Sequence, residues 1–332
     1  MVTLGYIIRR FIYMLITLFV AITLNFLLPR MVPGNPALLI LITKYAGNFN
    51  PNQLKLIESE LNLKGTLWQQ YIGYWNDILH GNLGPSYYFY PETVNQIIAS
   101  RLPWTLFLLG TAMLISVVIG VILGSYSGWK RGFADNFLQA ISIGLTSLPY
   151  FWLALIFQLV FAVMITINGR HLFPVAQAYS ITVSPGFNLP FIESVLWHST
   201  LPIITLVITT FPGFALLMRN TVVTILDEDY LLLAKAKGLS VKTIRKRYVN
   251  KNAMLPVTTS IALAFASIVG GAFLVEEVFS YPGIGYALYT AVTVSDYPLI
   301  EGIFLIITLT VILANFAVDL IYAYLDPRVV LK

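Results

Sequence analysis

Cysteine is absent from the 332 residues, which excludes disulfides, thiolate metal sites and a cysteine nucleophile. Charge is scarce as well. Asp, Glu, Lys and Arg together make up 11% of the chain, too little to coat a water-facing surface. Histidine occurs only at His80, His171 and His198, far apart and without metal-ligand spacing, so helix-end or loop positions are the expected reading. There is no GxSxG elbow, no GxxxxGKS/T phosphate loop and no recognisable pairing of His with Asp. A resident cofactor is not expected, nor is catalysis by this chain. If nucleotide energy drives it, another chain must supply the ATPase.

Apolar residues are abundant instead. They make up 58% of the sequence, above the share of a soluble domain, and they come in runs of bilayer length. Six runs predict an all-α integral membrane protein with spans near 8–30, 103–127, 136–167, 199–218, 255–280 and 299–325. Pro149 predicts a kink or an extension beyond the membrane in the third span, and Pro212 raises the same expectation in the fourth. The first run follows Arg9 and Arg10 but is too long for a signal-peptide core, with Pro29 and Arg30 where a small-residue cleavage site would lie. It reads as a retained first helix.

Loop charge sets the direction. With the amino terminus in the cytoplasm, 14 of the 20 basic residues fall on the inner side and 6 on the outer. Both termini are then cytoplasmic. The chain divides into 1–102, a first span plus a long extracytoplasmic segment with helix-like stretches at 52–62 and 66–80, and 103–332, five further spans. Residues 168–198 form a second outer loop, and 219–254 form the sizeable cytoplasmic loop between the fourth and fifth spans.

Gly120, Gly124 and Gly128 form a GxxxGxxxG series, which permits close helix approach within a membrane. Ser260, Ala264, Ser267 and Gly271 share one small, mildly polar helical face, suited to tight packing or to a water-accessible path. Glu276 and Glu277 at the outer end of the fifth span, and Asn315 and Asp319 in the inner half of the sixth, lie towards the ends. A solvated or structurally paired charge is the reading there, which weakens an ion-coupled carrier.

Residues 231–256 carry seven basic residues and no acid. Leu231 to Lys237 favours helix, Gly238 can end it in the left-handed conformation, and Ser240 can cap a second short helix. On that helix Val241, Ile244 and Tyr248 form an expected apolar stripe at i, i+3 and i+7, bordered by Lys242, Arg245, Lys246 and Arg247. Such a segment can lie on anionic lipid, dock into a groove of a cytosolic partner, or serve only to fix topology. Nucleic acid is not the expected partner, because the patch is short and tethered to the bilayer.

At Ala234-Lys235-Ala236-Lys237-Gly238-Leu239, followed by Leu255-Pro256, the loop resembles the "EAA" loop of binding-protein-dependent ABC importer permeases of the oligopeptide/dipeptide branch. Further segments carry the same likeness: Pro33-Gly34-Asn35-Pro36-Ala37, Gly81-Asn82-Leu83-Gly84-Pro85-Ser86, Tyr281-Pro282-Gly283-Ile284-Gly285 with Asp296-Tyr297, and Asn315, Asp319, Tyr322, Asp326 and Pro327. The resemblance implies a plasma-membrane permease subunit paired with a second permease, two cytosolic ABC ATPases and an extracellular solute-binding protein. It implies a coupling helix after Gly238, with Ala234, Lys235, Ala236, Gly238, Leu239, Ser240, Ile244 and Arg245 as the ATPase-coupling set. Leu239 and Ile244 would supply the apolar docking. Members of the branch import dipeptides, oligopeptides, nickel or oligosaccharides. A stand-alone secondary transporter is the competing class, and a membrane-embedded enzyme stands behind both.

Overall fold

The computed structural model describes residues 4–31, 41, 65–266, 268 and 272–325. The Pro33–Ala37 segment, the 52–62 stretch, Ser267, Gly271, Asp326 and Pro327 lie outside the described residues, as do the side chains of Asp319 and Tyr322.

The helices, in chain order, are α1 (Leu4–Arg30), α2 (Leu67–Leu79), α3 (Val94–Lys130), α4 (Phe133–Thr146), α5 (Tyr150–Phe157), α6 (Leu189–Leu226), α7 (Asp229–Ala236), α8 (Val241–Thr243), α9 (Lys251–Ala266), α10 (Phe273–Val278), α11 (Ile284–Thr293) and α12 (Tyr297–Leu325). Two π-helical stretches, Gln158–Met164 and Ile244–Asn250, follow α5 and α8 directly. A small hairpin pairs β1 (Thr166–Ile167) with β2 (Arg170–His171) antiparallel.

Among the described residues α1, α3 and α6 are long and apolar enough to cross a membrane. The expected third span is instead the pair Phe133–Thr146 and Tyr150–Met164, bent by 90°. Pro149 sits at the bend as the residue before α5. Its ring drives the preceding residue out of the helical region, which breaks the span. Pro212 does not break its helix, since α6 runs through Pro202 and Pro212 as one helix of 38 residues, longer than a single span needs. The expected fifth span is α9, only 16 residues, followed after residues 267–272 by the 6-residue α10.

The chain forms two compact units. The first comprises residues 1–105, 269–273 and 282–332. Its core joins Val94, Ile97 and Ile98 at the start of α3 to Ile284, Ala287 and Ala291 of α11 and Leu299 and Ile303 of α12. Gly302 allows this approach, because a Cβ there would collide with Val94. The antiparallel pair α1 and α12 meets through Phe11 and Phe316 near one end and Arg30 and Glu301 near the other. The expected 66–80 helix is α2, opened by a capping box in which Thr66 accepts from the Gln69 N–H and Gln69 accepts from the Thr66 N–H.

The second unit comprises residues 106–268 and 274–281. Its spine is the close crossing of α3 and α6. A Cβ on Gly120, Gly124 or Gly128 would run into the α6 backbone at Phe211, Ala215 and Arg219 respectively. The glycine series is therefore a packing seam within this chain, as its spacing predicts. Beyond it, Asp135 of α4 accepts two hydrogen bonds from the Arg219 guanidinium of α6, at 2.9 and 2.6 Å, and a third from Ser127 of α3. This buried fork ties three helices together.

Candidate functional site

The loop between α6 and α9 is built from local rules. α7 ends in a Schellman motif. Gly238 has φ +68°, its N–H donates to the Lys235 carbonyl at 2.9 Å, and the Leu239 N–H donates to Ala234 at 3.4 Å. Ser240 caps the next helix, its hydroxyl accepting from the Thr243 N–H at 3.3 Å. The break and the cap stand where the sequence puts them.

The faces of that helix do not. Ile244 is 3% exposed and packs with Val249, Leu231, Ala234, Met218, Val222, Ala253 and Val257 in one core. Val241 is 66% exposed, and Tyr248 is half-buried. The expected Val241/Ile244/Tyr248 stripe assumes an α-helical period. From Ile244 the chain is π-helical, with i→i+5 bonding, and the buried pair is Ile244 and Val249, five residues apart. Ile244 is thus an inward anchor rather than an outward knob. Leu239, half-buried, packs on the same core.

The most exposed large apolar side chains of the loop are Leu232, Leu233 and Val241. None of Lys235, Lys237, Lys242, Lys246 and Arg247 around them is buried. Leu232 and Leu233 are not among the expected coupling residues, although burial of Leu231 and Ala234, three apart on α7, leaves them no other direction. Arg245 is half-buried, its guanidinium 5.8 Å from the Tyr126 ring of α3. Next to it, Ser125 donates to Asn250 at 2.9 Å. The loop is consequently fastened to α3 as well as to α6.

Of the small-residue face, Ser260 and Ala264 lie on α9, and Ser267 and Gly271 are outside the described residues. Ser260 donates back to the Pro256 carbonyl at 3.3 Å. By helical spacing Ser260 and Ala264 continue the face that carries buried Ala253 and Val257.

In the first unit two separate sequence segments converge. Asp296, fully buried, accepts from the Ser86 hydroxyl, from the Tyr88 N–H at 3.0 Å and from the Leu299 N–H at 3.3 Å. It thereby caps α12 and fixes the Gly81–Ser86 turn. That turn is closed by Asn82 and Asn95, which accept from the Gly84 and Leu83 N–H groups at 3.0 Å each. The Ile284 N–H at the start of α11 donates to Thr105 at 2.7 Å. In the second unit Tyr281 pairs with Ser199 at 3.1 Å, and burial holds its phenol up at about 12. It stays a neutral hydrogen-bonding group.

Of the end-located carboxylates, Glu276 is fully buried, which removes the solvated alternative and leaves the structurally paired one. Glu301, which no motif in the sequence marks, is 7% exposed and pairs with Arg30, whose guanidinium also covers the Phe26 ring at 3.8 Å. Asn25 donates to the Glu301 carbonyl at 2.7 Å and to the Tyr74 hydroxyl at 3.0 Å, which links α1, α2 and α12. His80 and His198 each bond the carbonyl four residues earlier, at 2.7 Å. Among the described residues no group of His, Cys, Asp and Glu could hold a metal ion.

Long apolar helices, a glycine-sealed helix crossing and a capped basic loop define a helical, multi-pass membrane component. The chain belongs to the binding-protein-dependent transport system inner membrane component family, which it matches over residues 116–331, with the amino-terminal region of the same component matching over 3–109. It is therefore a permease subunit of an ABC importer. Similar proteins include a dipeptide transport system permease of Alkalihalophilus pseudofirmus, 30% identical over 346 residues and covering 98% of this chain and 99% of that protein. A glutathione transport system permease of Escherichia coli K12 is 32% identical over 329 residues, covering 98% and 99%.

Proposed function

We propose that this permease forms half of a pathway for short peptides and is driven through the loop of residues 219–254 by separate cytosolic ATPases. Six spans, both termini in the cytoplasm, a second homologous permease and an extracellular solute-binding protein complete the reading. Peptide cargo is supported by the dipeptide and glutathione transport named for the similar proteins. The single observation that carries the coupling role is the break at Gly238 capped by Ser240. It exposes Leu232, Leu233 and Val241 amid unburied Lys235, Lys237, Lys242, Lys246 and Arg247.

In this reading Ala234, Leu239 and Ile244 anchor the loop, and Gly238 and Ser240 set its direction. Lys235, Ala236 and Arg245 border the contact that Leu232, Leu233 and Val241 make with an ATPase groove. Closure of the ATPase pair then moves the loop, and through it α3, α6 and α9, between inward and outward access. Ser260, Ala264, Ser267 and Gly271 are assigned to the pathway wall, where small side chains leave room for cargo.

Leu232→Glu with Leu233→Glu and Val241→Glu is expected to abolish peptide uptake and peptide-stimulated ATP hydrolysis in the reconstituted importer. Membrane insertion and helicity should be unchanged, because none of the three is buried. Normal uptake by the triple variant would sink the coupling assignment. Cargo class is read separately from which ligand raises the Tm of the cognate binding protein. Oligosaccharide or nickel acting there, with peptides inert, would replace the peptide reading.

A further inference from the structure

Helix α2 has more apolar surface than the first unit covers. Tyr71, Tyr74 and Trp75 turn towards α1. Tyr71 and Tyr74 lie 5.2 and 5.5 Å from the Phe26 ring, Trp75 stacks on Phe19 at 5.6 Å, and the Tyr71 hydroxyl bonds Thr23 at 2.7 Å. The adjoining flank of Trp68, Ile72 and Leu79, spaced i, i+4 and i+11, is exposed along its whole length. The opposite arc, with Gln69, Asn76 and His80, is polar and exposed.

We propose that α2 is an interfacial helix, with its Trp68–Ile72–Leu79 flank seated in the headgroup–acyl boundary of the leaflet around the last turns of α1. Three observations select lipid as the occupant. First, the exposed flank is continuous with the surface of α1 that a bilayer must cover. Phe19, itself 54% exposed, stacks on Trp75, Trp75 meets Tyr71 at 6.3 Å, and Tyr71 meets Trp68 at 5.8 Å. Second, the 13-residue helix contains Trp68, Tyr71, Tyr74 and Trp75 with Asp77 as its single charged residue, and such amphipathic rings favour the membrane interface. Third, α2 is held against the carboxy-terminal half of α1, from Phe19 to Arg30. Gln70 accepts from Arg30 at 3.4 Å and Tyr74 accepts from Asn25 at 3.0 Å, both at the carboxy-terminal end of α1. A helix fixed there, with one apolar arc bound to a span and the next arc bare, meets lipid on the bare side and water on the polar one.

The absence of cysteine from this chain simplifies the test, because no native thiol of the permease itself must be removed, and the permease is labelled before the other subunits are added. Nitroxides are attached singly at Ile72→Cys, Leu79→Cys, Gln69→Cys and Asn76→Cys in the full-length permease, which is then assembled with its other subunits. The host is a nanodisc of phosphatidylethanolamine and phosphatidylglycerol. Oxygen, which concentrates in lipid, should broaden the labels at positions 72 and 79 several-fold more than a water-soluble nickel chelate does. The order should reverse at 69 and 76. Equal access of the chelate to 72 and 76 would overturn the proposal in favour of a water-facing flank. Exclusion of both reagents from 72 and 79 would overturn it in favour of a protein partner. All four positions are exposed, so the labels report surroundings rather than a folding failure.

Discussion

Gly238 and Asp296 are single residues that each settle the course of a segment. At φ +68° Gly238 occupies the left-handed region, where a side chain costs roughly 1–2 kcal/mol. Nothing lies near a Cβ there, so the penalty of Gly238→Ala is backbone strain alone. A redirected Ser240 cap is its structural consequence. Asp296 satisfies the Ser86 hydroxyl and the Tyr88 and Leu299 N–H groups while fully buried. Asp296→Ala strands these donors, each costing about 1–3 kcal/mol when buried and unpaired. We expect a lowered Tm in detergent and faster proteolysis within the Gly81–Thr93 segment. Asp296→Asn, which keeps an acceptor oxygen, should lose less. Equal stability of Asp296→Ala and wild type would remove Asp296 as the anchor.

At the scale of elements the α3/α6 seam makes the sharpest claim. Gly124 faces the Ala215 carbonyl with no room for a Cβ, whereas Gly110, on the same helix, has nothing within 4 Å. Gly124→Leu should therefore force the helices apart, at the cost of over-packing, about 1–3 kcal/mol or more. Gly110→Leu should be silent. Monodisperse elution on size-exclusion chromatography and thermal stability separate the two, and indistinguishable behaviour would mean that the seam does not hold the unit. The seam was legible in the sequence, because close approach needs only small residues four apart. The faces of the 241–250 helix were not. Their period depends on the i→i+5 bonding of Ile244–Asn250, and that bonding carries Ile244 and Val249 into a core made by α6, α7 and α9.

For the whole molecule, direction rests on charge, with 14 of 20 basic residues expected on one side. Single cysteines at Lys242 and His80, both exposed, should react with a membrane-impermeant maleimide from opposite faces of sealed vesicles. Lys242→Cys is expected to be reached only from the ATPase side. Labelling of both from the same face would invert the assigned topology. Assembly has the same dependence on the whole, since a permease subunit of an ABC importer belongs to a complex with other subunits.

By itself the sequence determined what local chemistry can determine. Apolar run length gives helices that cross a bilayer, and the glycine spacing gives the α3/α6 crossing. Gly238 and Ser240 give the break and the cap, and Pro149 the 90° bend. Each of these depends on neighbours within a few turns. Only the tertiary structure decided what depends on distant partners. It buried Glu301 against Arg30, 271 residues away in sequence, brought Ser86 to Asp296, and turned Ile244 inward so that Leu232, Leu233 and Val241 face out. The reason is physical. A buried charge or a helix face is placed by whatever satisfies it across the fold, and a run of residue types does not say which distant group that will be.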